Sequence, residues 1–257
     1  MILAIDVGNT NTVLGCIKGE QLLFTLRIRT DRDKTADEYA LLLQGLLERQ
    51  GAYPVDIEGG ILSSVVPELK TVMAVAMRDL TGKDFLVVGS GIKTGLNIRM
   101  DNPAQLGADL VVDAVAALSR YKPPLIIFDM GTATTLSVID KDGCYIGGMI
   151  IPGLRLSVDA LSARAAQLPY IHLGAPERLI GTNTISCMQA GAVYSNAAML
   201  DGLSQRVEEE LGQPVTVVAT GGLMGTVLPF CKRSIQYDEN LMLEGLRLLY
   251  EKNQKHK

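Results

Sequence analysis

The sequence predicts an α/β chain of two similar halves, each built on a mixed sheet. Three observations carry that prediction. An apolar strand runs twice into Asp-x-Gly and a hydroxyl-rich turn: Ile2-Leu3-Ala4-Ile5-Asp6-Val7-Gly8-Asn9-Thr10-Asn11-Thr12, then Leu125-Ile126-Ile127-Phe128-Asp129-Met130-Gly131-Thr132-Ala133-Thr134-Thr135. Asp129 and Gly131 stand at the same offset from Asp6 and Gly8, about half the chain, as a duplicated unit requires. Each turn leads into a second strand, Val13 to Ile17 and Leu136 to Ile139, then a tight Lys-Gly or Asp-Gly turn and a third strand. Strands then alternate with helical patterns, so each sheet is expected to be antiparallel first and parallel later.

The elements follow in order. Strands are expected at about 2–7, 12–18 and 21–29, then a helix from Thr35 to about Arg49, where Tyr39, Leu42, Leu43, Leu46 and Leu47 recur at helical spacing. Ile61 to Val66 is a short strand ended by Pro67, which opens the next helix, and Asp84 to Val88 is a further strand. Asn102 to Asp109 leads into a helix over Val111 to Leu118, and Tyr121-Lys122-Pro123-Pro124 then breaks the chain. The domain boundary is placed there, giving residues 1–118 and 119–257. The second half expects strands at about 124–129, 133–139 and 143–151, with Pro152-Gly153 opening a helix. Thr184 to Leu211 is a long helix, Val215 to Ala219 a strand ending in Thr220-Gly221-Gly222, and Glu239 to Tyr250 a closing helix. The charged tail Lys252 to Lys257 is expected to be disordered.

Bulk properties exclude several functions. The chain has 257 residues, enough for a sizeable core, and no apolar run long enough to span a bilayer or act as an N-terminal signal. A cytosolic protein with no membrane partner is expected. The net charge of −4, without a basic stripe, argues against nucleic acid, whose phosphates demand clustered positive charge. Cys16, Cys144, Cys187 and Cys231 are scattered and form neither a zinc site nor a disulfide frame. His172 and His256 have no Ser, Cys or metal-ligand partner nearby in sequence, so catalysis by histidine is not expected.

The duplicated turns are the first candidate site. Glycine lets backbone approach a phosphate, hydroxyl and amide groups add donors, and a carboxylate serves the cation that accompanies a nucleotide. Asp6, Gly8, Asn9, Thr10 and Thr12 taken alone would suit an ordinary hairpin. Their repetition at Asp129 to Thr135 favours two phosphate clamps. Thr220-Gly221-Gly222 would admit a ribose and α-phosphate against bare backbone, although a plain βα loop uses the same glycines. Gly107-Ala108-Asp109 stands at a helix start, where the helix N-terminus favours the charged carboxylate. Asp109 is thus either a simple N-terminal acid or a general base, and spacing does not decide between them. Asp113 and Asp159 read as solvated helix faces, and the scattered methionines as core filler.

Together these motifs, with Asp101-Asn102-Pro103, Gly147-Gly148-Met149-Ile150-Ile151-Pro152-Gly153 and Gly181-Thr182-Asn183-Thr184, resemble the type III pantothenate kinase family in order and over nearly the whole chain. The resemblance implies two ribonuclease-H-like domains of the acetate/sugar kinase–Hsp70–actin superfold, a homodimer, and ATP bound between the domains. It implies phosphorylation of pantothenate's primary hydroxyl, the first step of coenzyme A synthesis. By position, Asp6, Val7, Gly8, Asn9, Thr10, Asn11, Thr12 and Val13 would form the first phosphate loop, with Asp6 serving Mg²⁺. Asp109 would be the general base, and Gly107, Ala108, Asp109, Leu110 and Thr184 would bind pantothenate. Asp129 would ligate K⁺ or ammonium, and Thr132 would contact ATP. Two positions depart from many members: Met100 replaces a Tyr and Leu110 an Arg, so neither an aromatic wall nor a side-chain charge is assumed there. The rivals are another small-molecule kinase of the same superfold, or an actin- or Hsp70-like nucleotide switch with no acceptor.

Overall fold

The near-continuous apolar run Ile2–Val7 forms β1, the central strand of a five-stranded sheet. The chain continues through β2 (Asn11–Lys18), β3 (Gln21–Arg29), α1 (Ala36–Arg49), β4 (Gly59–Ser64), α2 (Pro67–Thr81), β5 (Leu86–Val87), β6 (Asn97–Ile98) and α3 (Ala108–Arg120). The second half runs β7 (Leu125–Met130), β8 (Ala133–Ile139), β9 (Cys144–Pro152), α4 (Leu154–Arg164), α5 (Thr184–Leu211), β10 (Thr216–Thr220), α6 (Met224–Val227), β11 (Gln236–Tyr237) and α7 (Leu241–Gln254). This computed structural model describes residues 1–254 and divides into two units. The first holds Met1–Leu96, Asn102–Ser119 and the chain from Asn240 on; the second holds Asn97–Asp101 and Arg120–Glu239.

In the first unit the strand order is β3-β2-β1-β4-β5, antiparallel through β1, β2 and β3 and parallel through β1, β4 and β5. The pleat of β1 divides its residues between two layers of helix. Leu3, Ile5 and Val7 meet Tyr39, Leu43 and Leu47 of α1 and Leu69 and Met73 of α2. Ala4, with Ile17 and Ile61, meets Val112 of α3 and Leu243, Leu246 and Leu249 of α7. Asp6 shares the parity of Ala4 and so lies on the face that α3 and α7 cover. Local signals set the helix ends: Thr35 and Glu38 form a reciprocal capping box on α1, and α2 opens on Pro67 and closes at the left-handed Gly82.

The second unit repeats the plan. Its sheet has the order β11-β10-β7-β8-β9-β6; read from the other edge and without β6, this is the first sheet strand for strand. Ile126, Phe128 and Met130 of β7, with Leu136 and Val138 of β8, pack against Leu154, Ala197, Leu200 and Met224 from three helices. Asn183 caps α5, accepting from Ser186 N at 2.9 Å, and the left-handed Gly212 ends it. Among the described residues no helix is long and apolar enough to cross a membrane.

The expected boundary at 118/119 differs from these units in two places. Helix α7 belongs with the first unit because Leu243, Leu246 and Leu249 fill the groove over β1 and β4. Asn97–Asp101 belongs with the second because β6 adds a parallel strand to β9. A two-residue strand has no periodicity, so β6 was not legible, and β5 is likewise shorter than expected. Of the charged tail, Lys252, Asn253 and Gln254 are helical, which corrects that reading; residues 255–257, including His256, lie outside the described residues. All four cysteines are free, Cys16 and Cys144 buried among them.

The α3–α7 contact depends on a missing side chain. A Cβ on Gly245 would overlap the Val112 carbonyl and lie 2.7 Å from its Cγ1. In an open helix Ala exceeds Gly by about 1 kcal/mol, so the sign of the change separates propensity from sterics. Gly245→Ala is expected to lower stability by about 1–3 kcal/mol. Gly202→Ala, in α5 with open space at its Cβ, should raise it. Urea unfolding of both variants measures this.

Candidate active site

The first Asp-x-Gly turn joins β1 to β2. Gly8 N donates to Asn11 O at 3.0 Å, and a Cβ on Gly8 would lie 2.9 Å from that oxygen, so only glycine keeps the turn this tight. Asn9 and Thr10 are exposed at its tip. Beneath it, Thr30 Oγ1 donates to Gly8 O at 2.7 Å, Thr30 N donates to Thr10 O at 3.0 Å, and Arg32 Nη2 donates to Asn9 Oδ1 at 2.9 Å. The Thr12 hydroxyl lies 3.0 Å from that of Thr30 and is fully buried. Thr12 therefore braces the turn from within, which corrects its expected place among the outward donors. Val7 is a core residue and Val13 packs on the opposite face, so these two offer backbone only. Thr30 and Arg32 were not legible as turn supports, since the β2–β3 pairing alone brings them there.

The second turn is one residue tighter. Gly131 N donates to Ala133 O at 3.0 Å, and Asp129 pairs across the antiparallel ladder with Thr135, whereas Asp6 pairs with Val13. Two further glycines close on it. Gly221 has φ +96°, and a Cβ there would lie 2.7 Å from Asp129 Oδ1 and 2.6 Å from Met130 N. A Cβ on Gly153 would overlap the Thr132 carbonyl and stand 2.7 Å from that of Gly131. The segments Asp129–Thr132, Pro152-Gly153 and Thr220-Gly221-Gly222, separate in sequence, thus meet backbone to backbone in one corner of the second unit. Thr132 is exposed at this corner.

Asp109 occupies the first turn of α3 and is partly buried. Its carboxylate folds back over Gly107, where a Cβ would overlap Oδ1, and that oxygen accepts from Leu110 N at 2.9 Å. Burial pushes its pKa above the ordinary carboxylate value, against the lowering by backbone N–H donors. The helix terminus does not prevail here, contrary to the reading of a plain N-terminal acid. Asp113, one turn on, is only 2% exposed, which corrects its assignment to a solvated face; the amphipathic pattern of α3 simply turns it inward. Asp159 is half-buried, its side chain beside Arg155.

Thr184 is the first residue of α5 and is exposed. With Gly181, Thr182 and Asn183 it lines one end of a cavity of about 1010 Å³ between α4 and α5, whose walls include Leu154, Val158 and Met188. Asp6 to Val13 and Gly107 to Leu110 thus belong to the first unit, and Asp129, Thr132 and Thr184 to the second. A half-buried carboxylate of raised pKa beside a glycine, with tight amide-rich turns at strand ends, suits proton removal and oxyanion binding.

The sequence model of the type III pantothenate kinase family matches residues 2–206. The chain belongs to that family. Proteins named type III pantothenate kinase are 47% identical in Moorella thermoacetica, over 98% of this chain and all of theirs, and 47% identical in an Exiguobacterium species, over 99% and 100%. The Myxococcus xanthus relative of the same name is 43% identical over 98% of this chain and 99% of its own. Among solved structures, a putative 2-dehydro-3-deoxygalactonokinase from Sinorhizobium meliloti has a TM-score of 0.60 at 13% identity, covering 98% and 96% of the two chains. A ROK hexokinase from Thermus thermophilus has a TM-score of 0.52 at 15% identity, covering 99% of each. The fold is that of the acetate/sugar kinase–Hsp70–actin superfold. The enzyme phosphorylates pantothenate with ATP at the entry to coenzyme A biosynthesis.

The raised pKa of Asp109 has a kinetic consequence. A base acts only when deprotonated, so if Asp109 serves as one, activity is lost as pH falls through its folded-state pKa. The acid limb of kcat/KM is expected above the ordinary aspartate range, and Asp109→Asn should lower kcat by on the order of 10²–10⁴-fold and abolish the limb. Rate profiles of the two proteins from pH 4 to 8 check this.

Proposed function

We propose that Asp109 is the general base of this kinase, accepting the proton of the pantothenate hydroxyl as its oxygen attacks the γ-phosphorus of ATP and ADP leaves. The observation that carries the reading is the setting of that carboxylate: at the start of α3, its pKa raised by burial, folded over a glycine that keeps side chains away. Phosphoryl transfer has a loose transition state, so the base mainly orients the hydroxyl and takes its proton late. Gly107, Ala108 and Leu110 line the acceptor side of the same helix start, and Thr184 contributes a hydroxyl at the mouth of the α4–α5 cavity.

The first turn is assigned to the phosphates of ATP, with Asp6 serving Mg²⁺. Among the described residues no three His, Cys, Asp or Glu side chains gather as a protein-only metal cage. A lone carboxylate suits Mg²⁺, which keeps several waters and takes its remaining oxygens from substrate phosphate. When bound, that ion neutralises charge developing on the phosphoryl oxygens. Asp129 is assigned to a monovalent cation, K⁺ or ammonium. The tight turn that follows it and the bare backbone of Gly221 against its carboxylate support an oxygen-lined site without a bulky neighbour. Thr132, exposed beside it, is assigned to ATP. A cytoplasmic homodimer completes the reading; large exposed apolar side chains of the second unit, Ile150, Tyr170, Ile180 and Ile185, favour a partner surface.

ADP release measured with and without pantothenate tests the kinase against a nucleotide switch: turnover should require the acceptor. The cation assignment makes a separate prediction. At constant ionic strength with Mg²⁺ present, activity should need K⁺ or ammonium, and smaller, more strongly hydrated Na⁺ should substitute poorly. Asp129→Ala should remove that dependence together with most of the activity. Full activity in Na⁺ alone would leave Asp129 as a turn residue.

A further inference from the structure

Ser63 is fully buried near the end of β4, and its hydroxyl makes no hydrogen bond. Its neighbour Ser64 differs: the Ser64 hydroxyl donates to Val66 O at 2.9 Å and accepts from Val66 N at 3.2 Å, building the turn into α2. A buried hydroxyl without a partner costs about 1–3 kcal/mol, and alanine would fill the same space without that cost. Packing therefore gives no reason for serine at this position.

The sheet register gives one. In the parallel β1–β4 ladder Ser63 is the direct partner of Asp6, so both side chains leave the same face at the same level. One oxygen of the Asp6 carboxylate, Oδ1, is buried as well. The second half repeats the arrangement: in the parallel β7–β10 ladder the partner of Asp129 is Thr220, a buried hydroxyl residue at the equivalent position. The duplicated unit thus keeps a hydroxyl beside each of its two Asp-x-Gly carboxylates, although the residue type and most of the surrounding sequence have changed.

We propose that Ser63 is a positioning residue for Asp6, its buried hydroxyl being the donor held for the Asp6 carboxylate when that carboxylate takes up the cation of the bound nucleotide. This rests on the assignment of Asp6 to Mg²⁺. Carboxylates that serve a metal are themselves hydrogen-bonded from behind, and loss of such a partner costs roughly 10–100-fold in metal affinity. Ser63 is too deeply buried to reach solvent, so it acts through Asp6 and not on the nucleotide.

The test is direct binding of ATP to the full chain, measured by calorimetry with Mg²⁺ and again in EDTA, for the parent, Ser63→Ala and Asp6→Asn. Ser63→Ala is expected to weaken binding about tenfold in Mg²⁺ and to leave binding in EDTA unchanged. The thermal midpoint of its ligand-free form should not fall, since the substitution removes an unsatisfied hydroxyl. Equal weakening with and without Mg²⁺, or a lowered midpoint, would make Ser63 a structural residue and overturn the proposal. Unchanged Mg²⁺-dependent binding in Ser63→Ala beside weakened binding in Asp6→Asn would overturn the Ser63 role alone. Unchanged binding in both would overturn the Asp6 assignment together with it.

Discussion

Everything in each unit depends on a central strand paired on both edges and covered on both faces. β1 and β7 hydrogen-bond to an antiparallel neighbour on one side and a parallel one on the other, and their apolar residues are sealed between layers. Backbone in such a strand is fully committed, so its amides become available only where the strand stops. Uncommitted amides and glycine turns therefore lie at the C-terminal ends of β1 and β7, after Asp6 and Asp129, and at the neighbouring end of β10. Open α/β sheets place ligands outside the carboxyl ends of their strands for the same reason.

Duplication supplied two such ends, and small differences give them different geometry. The turn after Asp6 is longer, is braced from beneath by Thr12, Thr30 and Arg32, and presents Asn9 and Thr10. The turn after Asp129 is one residue shorter and is flanked by the bare backbone of Gly153 and Gly221. The first is built as a cradle with donors at its tip. The second is built as a corner into which three chain segments press, and each close approach would fail with a single added Cβ.

At Asp109 two physical effects oppose each other. A helix N-terminus favours a carboxylate's charged form by a few tenths to about 1 kcal/mol when exposed, whereas burial penalises the charged form by more as water is removed. Gly107 permits the carboxylate to fold inward against its own helix turn, and burial prevails. Room over Gly107 thus lets the carboxylate take a position in which burial outweighs the backbone N–H donors of the helix start. This also explains why Gly-Ala-Asp is legible as a motif while the direction of the Asp109 pKa shift is not.

Local patterning by itself determined the two-fold α/β plan, the change from antiparallel to parallel strands, the limits of α5 and the positions of both Asp-x-Gly turns. These rest on alternation, helical spacing and the conformational demands of Gly and Pro, all of which act within a few residues. The placing of α7 on the first sheet, the edge strand β6, the inward turn of Asp113 and the burial of Thr12 came only from tertiary structure, because each depends on what a distant segment leaves uncovered. The same holds for the convergence of Gly153 and Gly221 on the second turn and for the pairing of Ser63 with Asp6. Sequence marked these residues as small or polar. Only strand register, set by long-range pairing, decided which of them stand side by side, since a shift of one residue would turn each side chain to the opposite face.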